Sequence, residues 1–325
     1  MTTYAQAVDD WADSRITLET VQPYTAKKSA EKARLFVPFV GNQDVDEISP
    51  CDIEQAIMAL KRGGGRRGQG LSSSTLRAAH LSGTQAVDWA IAHGMAHENP
   101  FKLVERPKAA KTVARSLDEA QAGQLALFTR QTLEESMNAN DLKRTSFCVA
   151  VLLAIGTGMR RGEIFGLEWT DYDGLTLSIK RSLKPDKRIG EPKTQAGVRR
   201  VSIGANIAQL LDSFKAWQSP KIPVRKWNYP APVMSSATGE RLSMDTFEHW
   251  WMKFRDDAGF CGLKFHELRH THASLLIASG TDVKTVQVRL GHSSADITMN
   301  IYAHALPRND VQAAQSIDKL IGGAR

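Results

Sequence analysis

The chain has 325 residues, and its 42 Lys and Arg against 35 Asp and Glu leave a formal net charge of +7. That length fits about two domains with a core each, and the charge favours a polyanionic partner over an acidic one. Cys51, Cys148 and Cys261 are widely spaced with no CxxC pair, which argues against a disulfide framework or a cysteine zinc site and for a reducing cytoplasm, while the acidic N-terminal stretch and the lack of any run of about 18 apolar residues argue against a signal peptide or membrane span.

The first hundred residues carry a helical pattern. Ser49-Pro50-Cys51-Asp52 reads as an N-cap, a proline at the first helical position and an acid in the first turn, followed by apolar Ile53, Ile57, Met58 and Leu60, so a helix of roughly three turns is expected. It runs into Lys61-Arg62-Gly63-Gly64-Gly65-Arg66-Arg67-Gly68-Gln69-Gly70, after which Ser72, Ser73 or Ser74 caps a long helix reaching about Ala92. This loop lacks the GxxxxGK[ST] pattern of a nucleotide-binding loop. Two readings stand for Lys61, Arg62, Arg66 and Arg67: a solvated loop, or contact with DNA phosphates that glycine lets the backbone approach. Arg77, on the helix that follows, joins them as a candidate DNA contact.

Asn99-Pro100 ends the helical region. Residues 105–115 read as a basic linker with a proline and small side chains, so the domain boundary is expected near residue 112, separating 1–112 from 113–325. Ser116-Leu117-Asp118-Glu119 carries the capping-box pattern of a restarting helix. An apolar helix from about Ser146 to Ile155 leads into Gly156-Thr157-Gly158-Met159-Arg160, and the next helix turns Ile164 and Leu167 inward with Arg160 near its exposed N-terminal end. Leu175 to Leu183 and Val198 to Ile203 read as two strands, with Lys193 in the turn region between them. A loop lysine is ordinarily just solvated, yet a hairpin tip can swing an ammonium into a cleft and lend its proton to a leaving alkoxide.

Phe265 to Gly280 reads as a helix on which His266 and Arg269, three apart, share a face that can grip a phosphate. The same stretch, His266-Glu267-Leu268-Arg269-His270, matches the HExxH zinc-hydrolase pattern. No Glu follows Glu267 to serve as third ligand, and Leu276 stands where an extended motif needs histidine, so zinc is not favoured. After a short helix from about Asp282, Gly291 ends the helix, His292 is expected to begin an exposed turn, and Tyr302 lies in Ile301-Tyr302-Ala303-His304. Two arginines, a lysine and two histidines can surround a phosphodiester with fixed donors, and a tyrosine hydroxyl can form a covalent ester with phosphorus. DNA strand cleavage without metal or other cofactor is the chemistry this set suggests.

The boxes TGMRRGEIFGLEW, GEPKTQAGVRRVSI, HELRHTHAS, LGHSS and IYAH, in this order, resemble those of the tyrosine recombinases, the phage-integrase family. The resemblance implies a mostly α fold with a small β-sheet: a helical core-binding domain and an α+β catalytic domain closing as a C-shaped clamp on DNA. It implies the catalytic residues Arg160, Lys193, His266, Arg269, His292 and Tyr302, with Glu163 in support. Residues 70–100 are similar to the later helices of the family's core-binding domain, and little room before residue 15 is left for an arm-binding domain. The function implied is site-specific recombination through a 3′-phosphotyrosyl intermediate, integrating or excising a mobile element. The implied partners are double-stranded recombination sites, a homo-tetramer at synapsis from a protein monomeric in solution, and an accessory bending or directionality factor; the protein is then nucleoid-associated. Val311, Ala314, Ile317, Leu320 and Ile321 form an apolar stripe, and by the resemblance the helix over 307–325 docks on a neighbouring protomer. Xer-like dimer resolution, a topoisomerase-like nicking enzyme and a non-catalytic DNA-binding regulator are the alternatives.

Overall fold

The computed structural model describes residues 1–65, 68–108, 115–192, 195–227 and 230–292. The chain divides into two compact units, Met1–Val113 and Ala114–Arg325. Arg66, Arg67, Lys193, Tyr302, the expected helix over 307–325 and part of the expected linker lie outside the described residues.

In the first unit, α1 (Tyr4–Thr17), α2 (Pro23–Ala33), α3 (Val37–Val40), α4 (Pro50–Gly63) and α5 (Ser73–Ala92) surround one core. Ser49 caps α4, its hydroxyl accepting from Asp52 N while the Asp52 carboxylate takes Ser49 N at 2.9 Å. The helix runs to 14 residues rather than three turns, because Lys61 and Arg62 are good helix formers that also complement the C-terminal end of the dipole. Ser72 is the cap of α5. In the centre Tyr4 stacks on Phe101 and Phe36 meets Phe101 edge-on, and the Tyr4 hydroxyl donates to Ala33 O at 3.0 Å. A Cβ on Gly83 of α5 would lie 2.5 Å from the Phe101 ring, so the glycine is what lets the aromatic cluster touch the helix.

The second unit opens with α6 (Glu119–Asn138), α7 (Leu142–Thr157) and α8 (Arg161–Gly166). The cap of α6 is Asp118, paired with Gln121, and not Ser116. Leu117 explains the shift: it is buried and its N–H donates to Thr271 Oγ1 at 3.0 Å, which holds the chain extended until Asp118. Every residue of α7 from Thr145 to Ala154 is buried, the mark of a helix enclosed on all sides.

Short strands follow: β1 (Thr176–Ile179), β2 (Ser182–Leu183), β3 (Ile189–Gly190) and β4 (Arg199–Ser202). The single strand expected over 175–183 is broken in two. β1 pairs antiparallel with β4, Thr176 opposite Ser202, and β2 pairs with β3, Ser182 opposite Gly190. The break falls at Lys180-Arg181, where the Arg181 guanidinium leaves the ladder for Asp171 and for Glu168 at 2.9 Å. Then come α9 (Ala205–Gln218), α10 (Val224–Trp227), α11 (Met244–Asp257), α12 (Glu267–Ala278) and α13 (Val283–Leu290). Rings of Phe147, Phe165, Phe247, Trp250, Trp251, Phe254 and Phe265 pack between α7, α8 and α11. The fold is mostly α with small antiparallel sheets, and among the described residues no helix is long and apolar enough to cross a membrane.

Candidate active site

Three helix ends meet in the second unit. α7 closes on Gly158 at φ 66° and α13 closes on Gly291 at φ 65°, both left-handed, while α8 begins at Arg160. Although such caps satisfy some of the terminal carbonyls, the last ones have no intrahelical partner and lie at the negative end of the helix dipole, where a guanidinium is favoured. Both sequence-selected arginines use them. Arg269, on α12, donates through Nη1 to Gly158 O at 2.7 Å and through Nη2 to Leu290 O at 2.5 Å. Arg160 donates through Nη2 to Gly291 O at 3.0 Å.

Glu163 organises the other side of Arg160. Its side chain is 1% exposed; Oε2 accepts the Arg160 N–H and Oε1 accepts Nη1, each at 2.8 Å. Arg199, at the start of β4, donates to the same two oxygens at 3.1 and 2.9 Å. Burial pushes the Glu163 carboxyl up, but the hydrogen bonds and charge of Arg199, with those of Arg160, outweigh it and hold the group below the usual carboxylate range. Arg269 has the opposite balance. Only 3% exposed, it is driven down to about 9 by burial and by the like charges of Arg160 and Arg199, against Glu163.

The histidines feel the same positive field. His266, the residue capping α12, is solvent-accessible, yet desolvation and the charges of His270, Arg269, Arg160 and Arg161 press it down to about 4. His292 does not begin an exposed turn: its N–H folds back to Gln287 O at 3.1 Å and the residue is only 7% exposed, so burial and then Arg269 and Arg160 hold it down to about 3. Both are neutral near pH 7, able to accept a proton or to donate one N–H. A phosphodiester bound at this cluster of cations would raise all of these groups by adding opposite charge.

Structure therefore brings Arg160, Glu163, His266, Arg269 and His292 together; Lys193 and Tyr302 lie outside the described residues. Sequence reasoning missed Arg199, and also His272 and Arg289. His272 receives Arg289 Nε at Nε2 (3.1 Å) and presents Nδ1 to Ile155 O at 2.8 Å, which fixes the Nδ1–H tautomer. The zinc reading finds no geometry: Glu267 turns back to accept Lys264 N at 2.8 Å, and among the described residues no three His, Cys, Asp or Glu groups are placed to hold a metal.

In the first unit, Lys61 and Arg62 are exposed at the end of α4. The glycine loop beyond them folds back on that helix, with Leu71 N donating to Leu60 O at 3.0 Å and a Gly70 Cβ excluded by Lys61 O. At least this glycine serves the turn itself. Arg77 is half-buried and donates to Pro107 O at 3.4 Å, so part of its guanidinium is engaged within the unit.

The phage integrase family model matches residues 115–308. A XerC-like tyrosine recombinase of Caldanaerobacter subterraneus is 28% identical over 278 residues, spanning 78% of this chain and 68% of that protein. The ICEBs1 integrase of Bacillus subtilis is 31% identical over 188 residues, 55% of this chain and only 50% of the relative. Among solved structures, the Tn1549 transposon integrase in complex with a circular intermediate DNA superimposes with a TM-score of 0.77 at 20% identity, covering 97% of this chain and 99% of that one. A lambda integrase tetramer bound to a Holliday junction gives a TM-score of 0.68 at 17% identity, covering 91% and 79%.

Proposed function

The chain belongs to the phage integrase family and is a tyrosine recombinase, and we propose that Arg160, Lys193, His266, Arg269, His292 and Tyr302 carry its chemistry, with Glu163 in support. The observation that carries this reading is the meeting of Arg160, Arg269 and His292 at three helix ends, with both guanidinium groups anchored on backbone carbonyls. Anchored donors need no reorganisation when charge develops, which is the condition for transition-state stabilisation.

In the proposed step the Tyr302 oxygen attacks the scissile phosphorus and the P–O5′ bond breaks. Arg160 and Arg269 bind the non-bridging oxygens, His266 takes the tyrosine proton, His292 donates to the phosphate, and Lys193 gives a proton to the departing 5′ oxygen. The 3′-phosphotyrosyl ester conserves the bond energy, so a 5′ hydroxyl from a partner strand reverses the step and transfers the strand. The scheme uses no metal and no nucleotide.

Residues 1–112 are read as the helical DNA-binding domain and 113–325 as the catalytic domain, with a boundary near the division of the two units. Exposed Lys61 and Arg62, with Arg66 and Arg67, are read as phosphate contacts; Arg77 contributes what Pro107 leaves free. The partner is double-stranded DNA, with a homo-tetramer at synapsis held by the stripe in 307–325, an accessory bending or directionality factor, and a cytoplasmic, nucleoid-associated setting. Integration and excision of a mobile element is the favoured role, supported by likeness to the ICEBs1 and Tn1549 integrases. The XerC-like relative favours a second role, dimer resolution. Plasmids carrying the DNA that flanks the protein's own gene, incubated with it in EDTA, test both: recombination between flanking sites supports the element role, whereas reaction only at a replicon's own dimer site supports the second.

A further inference from the structure

We propose that Arg199 is a positioning residue for strand cleavage: it fixes Glu163 in the orientation that aims Arg160 into the site, and it ties that pair to the turn bearing His292. The proposal rests on the catalytic reading above.

Strand alternation puts Arg199 on the same side of β4 as Val201, which is 1% exposed, while Arg200 points outward to Asp173 at 2.6 Å. A guanidinium on an inward face is tolerated only where its donors are met. Those of Arg199 are met by three different segments. Nη1 and Nη2 grip the Glu163 carboxylate at 3.1 and 2.9 Å, Nε donates to Arg289 O at 2.7 Å, and Nη1 also reaches Gly197 O at 2.9 Å. The side chain is 6% exposed against 36% for Arg160. Glu163 thus lies between two arginines, of which only the outer one opens toward substrate. Contact with α13 is close: a Cβ on Gly291 would stand 2.5 Å from Ala196 O and 3.1 Å from Arg199 Nη1. Arg289 O and Gly291 O, which receive Arg199 and Arg160, flank the Leu290 carbonyl that receives Arg269.

The charged groups on Glu163 are Arg160 at the start of its own helix, Arg199 from β4 and Arg269 from α12; His292 faces these arginines from the turn after α13. Without Arg199 the carboxyl stays buried with one cation fewer, and burial drives it to take up a proton. A protonated Glu163 no longer fixes the Arg160 fork.

Single-turnover cleavage of nicked duplexes tiled from the DNA flanking the protein's own gene tests this, run from about pH 5.5 to 9. Arg199→Met is expected to cleave about 100-fold more slowly at the acid end, the scale of a misaligned catalytic group, and to regain rate as pH rises and Glu163 ionises. Arg199→Lys restores part of the rate, and Arg199→Met combined with Glu163→Gln is slow with no such pH limb. Wild-type rates for Arg199→Met, or a loss by the same factor at every pH, would overturn the proposal. If the wild-type protein itself forms no adduct on any tile, the catalytic reading fails separately, and melting without DNA decides the pairing. Arg199→Met should then melt below the double variant near pH 8 and converge with it near pH 5 as the stranded carboxyl protonates; equal melting at both pH values would overturn it.

Discussion

Arg269 is a charge the fold has taken almost wholly out of water and settled on two carbonyl oxygens. Beside it the histidines are kept neutral by burial and by the neighbouring arginines. That has a consequence for stability without DNA. His266 and His272 are depressed to about 4 and His292 to about 3, each with burial as the leading cause. A histidine depressed in the folded state favours folding above its unfolded value of about 6.5 and loses that contribution as pH falls toward the folded one. Glu163, also depressed, adds a loss below the ordinary carboxylate range. The melting temperature is therefore expected to hold near pH 7–8 and to fall steadily from about pH 6.5 to 4, with His272→Gln flattening part of the slope. A melting temperature constant over that window would contradict the arrangement.

At the scale of elements, the site depends on where helices stop. Gly291 sits at φ 65° with Ala196 O in the way of any side chain. Gly291→Ala should cost about 1–3 kcal/mol in chemical denaturation and lower cleavage further than the stability loss explains, because the carbonyls holding Arg160 and Arg269 move with it. Gly123, exposed in α6 with open space around it, is the control. Gly123→Ala should stabilise by about 0.5–1 kcal/mol and leave cleavage unchanged. Destabilisation by the control and not by Gly291→Ala would reverse this account.

Elements also mark how far sequence reasoning reaches. Ser49 and Ser72 announce their helices because a cap is a local matter of one side chain and one N–H. Ser116 does not, since the start of α6 is decided by Leu117 packing against α12, a contact across 154 positions. The strand over 175–183 breaks at Arg181 for a similar reason: its partners Glu168 and Asp171 are off the ladder. Arg199 left a trace in the sequence, a charged residue in phase with the inward Val201. The trace says that a partner is needed; only the fold names Glu163.

For the molecule as a whole, each unit has its own core, and every described member of the proposed catalytic set comes from the second. Its key contacts are distant in sequence: Arg160 meets Gly291 across 131 positions and Arg269 meets Gly158 across 111. The site is thus a product of the completed second unit. The family and the mostly α fold were legible from ordered boxes, because spacing along the chain survives where contact does not.

Covalent trapping tests the central claim most directly: the protein, in EDTA, is mixed with nicked duplexes tiled from the DNA flanking its own gene, and wild type is compared with Tyr302→Phe. The prediction is a protein-linked 3′ end formed by wild type alone. An adduct that persists in Tyr302→Phe, or wild-type binding to every tile with no adduct on any, would contradict it.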